Sequence, residues 1–405
     1  MLVEFSVTNF RSIRDKQTLS MVKGKGSEHE ATHTFKPTAP GSETLLKSAA
    51  IYGANAAGKS NIIKALSMMK QIVVTPPNVG EKLPVVPFMF DPVTPQQPTE
   101  FELIFITNDV RYQYGFSATA ERIWSEWLFA FPKGRSQRWF EREYDSQTNV
   151  YTWHLDANLK GEKKVWRDST RENTLFLSTA AQLNSESLSP IYVYIKHMWE
   201  VLDEFLSGFF SASTLFNPKT KLSLISTLKD ADIGIIDISS NANPFLLLEG
   251  ESTGDTIKQA IDEINVIRKV YGHQYESKLK DESDGTKELF NLAFYLNAAL
   301  LAGELLIIDE INAKLHPTLV CYLIGLFNST EHNPNNAQLV FTTHETSILD
   351  QDILRRDQVW FCEKGENQAT RLYSLLDFKP RKGYENLEAA YLAGRYGAVP
   401  MIQAL

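Results

Sequence analysis

The chain has 405 residues, which is enough for one elaborated domain or for two domains with a large buried core. Hydrophobic residues make up 43% of it and charged residues 22%, so the composition is that of a folded globular protein and excludes extensive disorder. The net charge of -8 argues against a uniformly basic surface that coats nucleic acid, although a local basic patch stays open.

The cysteines and the apolar stretches indicate the cellular setting. Cys321 and Cys362 are far apart and have no Cys or His neighbour at metal-binding spacing, so neither a disulfide framework nor a zinc site is expected. The most apolar long stretch, Tyr295–Ile308, is interrupted by Glu304 and is too short to span a bilayer. We therefore expect a cytoplasmic protein without a membrane segment.

The first elements alternate between strand and helix. Apolar and polar residues alternate over Leu2–Val7 and Gln17–Met21, which predicts two strands. The polar stretch Lys23–Glu43 lacks helix cues and is expected to be a long loop. The apolar run Leu46–Tyr52 predicts a strand, and the spacing over Ser60–Val73 predicts a helix that follows it closely.

The middle of the chain is predicted to contain an antiparallel sheet. Seven prolines between residues 76 and 98 exclude regular helix there. The alternating runs that follow predict a hairpin with its turn at Asn108 and Asp109. The further predictions are aromatic-rich strands from about 121 to 171, helical spacing from 174 to about 228 and a strand at 233–238.

The last part of the chain returns to alternating helices and strands. Such alternation is what a parallel sheet covered by helices requires. The predicted elements are a helix over 287–301, a strand over 305–308, a helix over 317–327 and strands over 338–342 and 358–362.

Residues Gly53–Ser60 match the P-loop pattern G-x-x-x-x-G-K-[ST]. The glycines let backbone N–H groups surround phosphate oxygens, and the positive end of the following helix favours an anion. In this pattern Lys59 reaches the outer phosphates and Ser60 binds magnesium. A chance match is the alternative, but the predicted strand before it and helix after it favour nucleotide binding.

An acidic pair, Asp309 and Glu310, ends the apolar strand at 305–308. A P-loop ATPase needs one acid in the magnesium shell, which suits Asp309, and one group that activates water, which suits Glu310. Taken alone, such a pair is commonly a solvated strand end. Asp309 lies 250 residues after Lys59, so a large insertion must interrupt the nucleotide-binding sheet.

Two further motifs flank the acidic strand. Residues 283–287, Ser-Asp-Gly-Thr-Lys, begin a predicted helix and are similar to the degenerate signature motif of ABC-type ATPases, although an ordinary helix cap is the simpler explanation. His344 follows the strand at 338–342 and lies 34 residues after Glu310. A lone histidine there would more often be structural, so both motifs gain weight only from their order.

In this ordered set the chain resembles ABC-type ATPases with SMC/RecF-like heads from bacterial phage-defence and abortive-infection loci, of the RloA kind and of the kind that forms the ATPase subunit of the PARIS system. The resemblance covers nearly the whole chain. The segments that carry it are NFRSI, YGANAAGKSN, FLSTAAQLN, ESDGTKELF, IIDEINAKLHP, FTTHET and the C-terminal YLAGRYGAVP.

The resemblance implies an α/β fold, a P-loop NTPase of ABC-type head architecture with an antiparallel β subdomain and an inserted mixed, partly helical subdomain. Residues 1–120 and 271–405 would form the two parts of the head, and residues 121–270 the insertion. ATP and Mg²⁺ are the implied cofactors. The implied catalytic residues are Glu310, His344 and Lys59, and the metal ligands are Ser60 and Asp309. The implied nucleotide-binding residues are Arg11, Asn55, Ala56, Ala57, Gly58, Lys59, Ser60, Asn61 and, from the opposite subunit, Ser283 and Gly285.

The sequence departs from the family pattern at one position. Asn312 stands where such proteins commonly carry Asp, in a loop that tends to cross the dimer interface, which puts coupling between two sites in doubt. The glutamine of the Q-loop is not identified, and Gln97 and Gln113 are only candidates.

Three functions fit these motifs. The first is an ATP-dependent switch, a homodimer or higher homo-oligomer, that senses infection. It would regulate a separately encoded toxin or nuclease effector, for which a TOPRIM-type nuclease is one candidate. The second is a compact RecF-like DNA-repair ATPase, since no long heptad arms are present; its support is the mixture of basic and aromatic residues over 133–171, which a solvated sheet face explains better. The third is a scaffold that binds nucleotide without hydrolysis.

The C-terminal YLAGRYGAVP is either a helix with its stop or a partner-docking segment.

Overall fold

A computed structural model describes residues 1–201, 217–231, 234–240, 263–381 and 383–400 of the chain. Its strands are β1 (Leu2–Thr8), β2 (Gln17–Ser20), β3 (Thr34–Phe35), β4 (Leu45–Leu46), β5 (Ser48–Tyr52), β6 (Thr99–Thr107), β7 (Val110–Ala118), β8 (Ile123–Phe131), β9 (Gln137–Asp145), β10 (Val150–Leu155), β11 (Trp199–Val201), β12 (Ile235–Ser240), β13 (Ile264–Val270), β14 (His273–Lys278), β15 (Leu305–Ile308), β16 (Gln338–Thr342), β17 (Val359–Lys364) and β18 (Thr370–Ser374).

The helices of the described ranges connect and cover these strands. They are α1 (Glu30–His33), α2 (Lys59–Val74), α3 (Lys163–Ser169), α4 (Phe176–Gln182), α5 (Ser189–Lys196), α6 (Pro218–Asp230), α7 (Asp284–Ala302), α8 (Pro317–Phe327) and α9 (Leu387–Leu392). Short 3-10 turns lie at Thr94–Gln96, Leu279–Asp281, Thr346–Ile348, Arg356–Gln358 and Leu375–Phe378. No helix of the described ranges is long and apolar enough to cross a membrane.

A six-stranded sheet carries the P-loop and the acidic pair. Its order is β11-β15-β16-β5-β17-β18, and all neighbours are parallel except β17 and β18. Every residue of β5 and β16 is buried, which explains why their sequences are continuous runs with little polar alternation. Ala49 and Ile51 face the core that contains α2, whereas Ala50 and Tyr52 face the core that contains α7 and α8.

A seven-stranded antiparallel sheet forms the second layer, in the order β10-β9-β8-β7-β6-β1-β2. The predicted hairpin is confirmed, since Asn108 and Asp109 connect β6 and β7 with φ angles of 48° and 58°. Such left-handed pairs match the twist of a two-residue hairpin. Pairing of β7 with β8 continues this sheet across the predicted domain boundary at residue 120.

Gln338 joins the two sheets. Its side-chain oxygen accepts a hydrogen bond from the backbone N–H of Leu2 at 2.6 Å. Its side-chain nitrogen donates to the carbonyl oxygens of Leu2 and Leu46 at 3.0 and 3.1 Å. A fully buried amide with all these partners fixes the start of β1 against the nucleotide-binding sheet.

A buried ion pair attaches the helical segment that follows the antiparallel sheet. Glu126 lies 3.1 Å from Arg142, and both side chains are almost completely buried. Glu126 also accepts hydrogen bonds from the backbone N–H groups of Phe176 and Leu177, in the first turn of α4. Helix α4 is in turn held to the P-loop helix, because Ser178 donates to the Val73 carbonyl at 2.6 Å.

The two buried tyrosines of the C-terminal motif YLAGRYGAVP anchor it to the protein, while its Leu392 and Arg395 are exposed. The rings of Tyr391 and Tyr396 stack on Phe361 of β17 at centroid distances of 5.4 and 5.6 Å. The Tyr391 hydroxyl donates to the Ala398 carbonyl, and that of Tyr396 donates to Glu385. This segment therefore completes one face of the nucleotide-binding sheet.

Three secondary-structure predictions were wrong in part. The stretch 23–43 contains the short helix α1 and strand β3, and α1 begins without a side-chain cap, so the sequence carries no start signal for it. Trp166 lies in helix α3 rather than in a strand. The stretch 174–228 contains the three-residue strand β11, which pairs with β15 and is too short to show a period. Residues 202–216 of that stretch, and the first residue of the strand predicted at 233–238, lie outside the described residues.

His33 at the end of α1 should make stability depend on pH. Burial lowers its pKa from 6.5 to about 4, and its Nε2 lies 3.1 Å from the Ile353 carbonyl, to which a neutral ring donates. The unfolded chain therefore binds one more proton than the folded one between pH 6.5 and 4, and stability falls as the pH falls through this window.

We expect the melting temperature of the wild-type protein to drop more steeply from pH 7 to pH 4.5 than that of His33→Gln. The exposed His273 provides the control, since His273→Gln should keep the wild-type slope. Equal slopes for all three proteins would show that His33 titrates normally.

Candidate nucleotide-binding site

The carboxyl ends of four adjacent parallel strands carry the candidate site. Strand β5 leads into the P-loop, β15 into the acidic pair and β16 into His344, and β17 ends at Lys364. Strand β16 lies between β15 and β5, so His344 comes between the acids and the P-loop. Ligands of open α/β sheets bind at this edge, because the strands end there and the loops diverge.

A pocket of about 430 Å³ occupies this edge. It brings together most of the residues predicted from the motifs and adds one, Lys364. The lining residues are Asn55, Ala56, Ala57, Gly58, Lys59, Ser60, Asn61, Glu310, His344 and Lys364.

Gly58 is required by the shape of the P-loop. Its φ of 105° lies in the region that favours glycine, and a Cβ atom there would meet the Thr370 hydroxyl oxygen at 2.0 Å. Thr370 itself donates to the Ala57 carbonyl at 2.9 Å and bonds to the Ser12 hydroxyl at 2.7 Å. Ser12 also accepts from the Asn61 side chain at 2.6 Å, so the segments around Ser12 and Thr370 hold the loop from behind.

Lys59 lies folded back over its own loop. Its ammonium donates to the carbonyl oxygens of Gly53 and Ala54 at 2.8 and 3.1 Å, and it lies 3.5 Å from Nδ1 of His344. Burial lowers the pKa of Lys59, while the nearby carboxylates of Glu310 and Asp309 oppose that shift. A phosphate group would supply a direct counter-charge to this buried ammonium group.

Thr342 fixes both acids of the pair. Its hydroxyl, which is fully buried, donates to Oδ1 of Asp309 at 2.6 Å and accepts from the backbone N–H of Glu310 at 2.8 Å. Glu310 has a left-handed φ of 56°, a conformation that costs roughly 1 kcal/mol or more for a non-glycine residue. This turn leaves the Glu310 side chain 56% exposed at the pocket, whereas Asp309 is held against the strand end.

Asn312 holds the loop that carries His344. Its side-chain oxygen accepts from the Thr343 hydroxyl at 2.9 Å and from the backbone N–H of His344 at 3.3 Å. An aspartate would offer the same acceptor, so this departure from the family pattern preserves the contact within one subunit.

His344 faces both Lys59 and Glu310. Its Nε2 lies 3.9 Å from the Glu310 carboxylate. Burial, and after it the charge of Lys59, lower the pKa of His344, while Glu310 and Asp309 oppose the shift. The imidazole is therefore neutral near pH 7, when it can donate one hydrogen bond and accept another.

Asp309, Arg11, Ser283 and Gly285 were also predicted as site residues but do not line the pocket. Arg11 is exposed in the loop beside Ser12, and its backbone N–H donates to Val86. Ser283 is exposed and caps α7 through the N–H of Thr286, while Gly285 lies beside the Lys314 carbonyl. These roles stay predictions. The candidate Gln113 donates to Glu102 within the antiparallel sheet, and Gln97 ends a 3-10 turn, so neither lines the pocket.

Sequence reasoning missed the supporting residues Thr342, Thr370 and Ser12 and the lining residue Lys364. Thr342 and Ser12 occur inside the motif segments FTTHET and NFRSI. Their closeness in sequence to predicted site residues could have indicated a supporting role. Thr370 and Lys364 have no such signal, because only the pairing of β17 with β5 brings them to the P-loop.

The oxygen ligands at this edge suit magnesium. Asp309 supplies a carboxylate at a strand end, and Ser60 supplies a hydroxyl in the pocket lining. Mg²⁺ is commonly bound by one or two protein oxygens together with substrate phosphates and water. It therefore does not require a cluster of three acidic, cysteine or histidine side chains, and the described residues contain no such cluster.

A family profile described as "AAA domain, putative AbiEii toxin, Type IV TA system" matches residues 48–350, which is most of the chain. The chain belongs to this family. It is an ATP-hydrolysing enzyme, so the alternative of a scaffold that never hydrolyses nucleotide is not supported. The matched residues run from the first residue of β5 to just beyond His344, and so include the P-loop, the acidic pair and every lining residue of the pocket except Lys364.

Solved structures similar to this AAA-family chain include SMC heads. The SMC head domain from Thermotoga maritima is 14% identical, with 92% of this chain and 98% of that chain covered and a TM-score of 0.41. An SMC head bound to the C-winged helix domain of ScpA is 14% identical, with 92% and 97% covered and a TM-score of 0.45. An SMC head with an extended coiled coil, bound to the C-terminal domain of ScpA derived from Pyrococcus furiosus, is 12% identical, with 93% and 97% covered and a TM-score of 0.45. No curated protein matches the chain.

The predicted α/β fold class is confirmed: the protein has a P-loop ATPase fold in which a mainly parallel sheet carries the P-loop and an antiparallel sheet forms a second layer.

Replacement of Thr342 by valine should impair hydrolysis more than folding. The change keeps the shape but leaves the Glu310 N–H without its acceptor, which costs about 1–3 kcal/mol of unfolding free energy. Loss of the two hydrogen bonds that position the acids should lower the ATPase rate by roughly 10- to 100-fold.

The measurements are steady-state phosphate release and thermal unfolding. Thr152→Val, at an exposed position of the edge strand β10, is the matched control and should leave both unchanged. An unchanged ATPase rate in a folded Thr342→Val protein would contradict the positioning role.

Proposed function

We propose that this protein is an ATP-dependent switch in bacterial anti-phage defence. Two copies of the head would dimerise around ATP, and hydrolysis would change how a separately encoded toxin or nuclease effector is held. The observation that carries this proposal is the convergence of Lys59, Glu310 and His344 on one pocket, while Ser283 remains exposed outside it.

The pocket residues divide the chemistry of ATP hydrolysis among themselves. Lys59 would leave its two loop carbonyls and bind the outer phosphates, and the P-loop amides would bind the remaining oxygens. Glu310 would accept a proton from the water that attacks the terminal phosphorus, as the bond to ADP breaks. Neutral His344 would donate a hydrogen bond to the terminal phosphate. Ser60 and Asp309 would hold Mg²⁺, which supplies charge neutralisation at the phosphates when bound.

The placement of Ser283 supports a dimer. The residue caps the 19-residue helix α7, so its hydroxyl and the nearby N–H groups lie at the positive end of a long helix. Within one subunit these groups do not line the P-loop pocket. A second head in the opposite orientation would bring them to the terminal phosphate, as in the resemblance to ABC-type heads.

The description of the family names a toxin–antitoxin system, and this supports a role in defence. In this proposal the hydrolytic residues of this protein serve to regulate the effector. A toxin that acts through the ATPase itself is the competing interpretation of the same description.

The DNA-repair alternative keeps only part of the observation that favoured it. Trp153 and Trp166 pack edge-to-face on Phe176, and Arg142 is buried in the ion pair with Glu126. Arg142 and Trp166 of the stretch 133–171 are therefore buried and cannot contact bases, whereas its other basic side chains remain at the surface.

Glu310→Gln should separate ATP binding from hydrolysis. The amide keeps the size of the side chain but cannot take a proton, so we expect phosphate release to fall roughly 100-fold or more while ATP binding persists. Light scattering coupled to gel filtration should then detect an ATP-dependent dimer that wild type forms only transiently.

Two variants control this experiment. Lys59→Ala should lose both ATP binding and the dimer, and Glu331→Gln, at an exposed position, should behave as wild type. Wild-type turnover in Glu310→Gln would refute the catalytic assignment, and a monomer at saturating ATP would refute the dimer.

Growth of bacteria that express the chain alone, or together with its neighbouring gene, tests the effector. We expect growth arrest on phage challenge only when both genes are present and Glu310 is intact. Arrest by the chain alone, retained in Lys59→Ala, would instead assign the toxicity to this chain and overturn the switch.

A further inference from the structure

We propose that Lys364 binds the nucleotide, and that it contacts the phosphates nearest the ribose rather than the terminal phosphate. The inference deepens the proposed ATP site and rests on it. Lys364 belongs to none of the recognised motifs, yet it lines the same pocket as Lys59.

The position of Lys364 follows from strand pairing. Strand β17 runs parallel to β5, with Phe361 beside Tyr52, so the chain beyond Phe361 runs alongside the P-loop. Cys362 touches the loop directly, because a Cβ on Gly53 would lie 2.4 Å from the Cys362 carbonyl. Side chains alternate along a strand, which puts Lys364 on the same face as Cys362, the face that packs toward α2 and the P-loop.

The strand that carries Lys364 is attached to the P-loop by a second contact. Lys364 lies opposite Thr370 of the neighbouring strand β18. Thr370 donates through its hydroxyl to the Ala57 carbonyl at 2.9 Å and through its backbone N–H to the Ser12 carbonyl at 2.7 Å. The base of the lysine therefore keeps a fixed relation to the phosphate-binding loop.

The two ends of the pocket differ in charge. Strands β16 and β15 lie on one side of β5 and bring His344 and Glu310 to the pocket, whereas β17 lies on the other side and brings Lys364. Hydrolysis requires the terminal phosphate at the acid and histidine end. The inner phosphates must then extend toward β17, where a cation offsets their charge.

Lys364 is available for this contact. It is half-buried, and within the part of the chain that the structure describes it takes part in no ion pair. For a lysine at a strand end, considered without its surroundings, simple hydration is the simpler explanation. Its place in the lining of a phosphate pocket, on a strand bonded to the P-loop, favours a ligand contact.

Isothermal titration calorimetry of wild type and Lys364→Met with ADP, a non-hydrolysable ATP analogue and adenosine tests the inference. We expect the Kd values for ADP and for the analogue to rise together by roughly tenfold, since a charge-assisted hydrogen bond is lost from both. The ratio of these two Kd values should stay at its wild-type value, and adenosine binding should not change.

Lys364→Arg should restore most of the affinity, and Lys133→Met, at an exposed loop position, should leave it intact. Where Lys364→Met lowers the melting temperature, the comparison uses Lys364→Gln. Unchanged ADP affinity overturns the inference, and so does a loss confined to the ATP analogue, which would put Lys364 at the terminal phosphate. Failure of the wild-type protein to bind either nucleotide would refute the ATP site itself and this inference with it.

Discussion

The parallel pairing of β5, β16 and β15 is the constraint on which the rest of the structure depends. Every residue of these three strands is buried, so polar side chains can emerge only where the strands end. The order of the strands then decides the order of the chemistry along the edge: P-loop, histidine, acids. Thr342 fixes the two acids from the middle strand, and Gln338, at the other end of that strand, holds the antiparallel sheet.

The parts of the fold that could be predicted were those with a strong local signal. The bounds predicted for β15, α8 and β16 agree with the structure, because each is a run of apolar residues between clear breaks. The Asn-Asp turn of the β6–β7 hairpin was equally local. The P-loop pocket followed from motifs whose spacing is set by backbone geometry, and six residues of its lining belong to one loop.

The parts that were missed depend on distant partners. Strand β11 has three residues and exists because β15 offers it an edge, and α1 has four residues and lacks a cap. Lys364 and Thr370 reach the P-loop only through strand pairing, across more than 300 residues of sequence. No window of the sequence contains both partners, so no periodicity could reveal the contact.

The same long-range pairing determines when the protein can fold. The backbone of Leu2 bonds to Gln338, a partner 336 residues later in the chain. Strand β5 likewise gains both neighbours only after residues 338–364 have been synthesised. During translation the apolar β5 and the P-loop helix are therefore made long before the strands that pair with β5. Folding of the nucleotide site is for this reason a late and slow event. Apolar surface that lacks its partners for most of synthesis favours aggregation of the nascent chain.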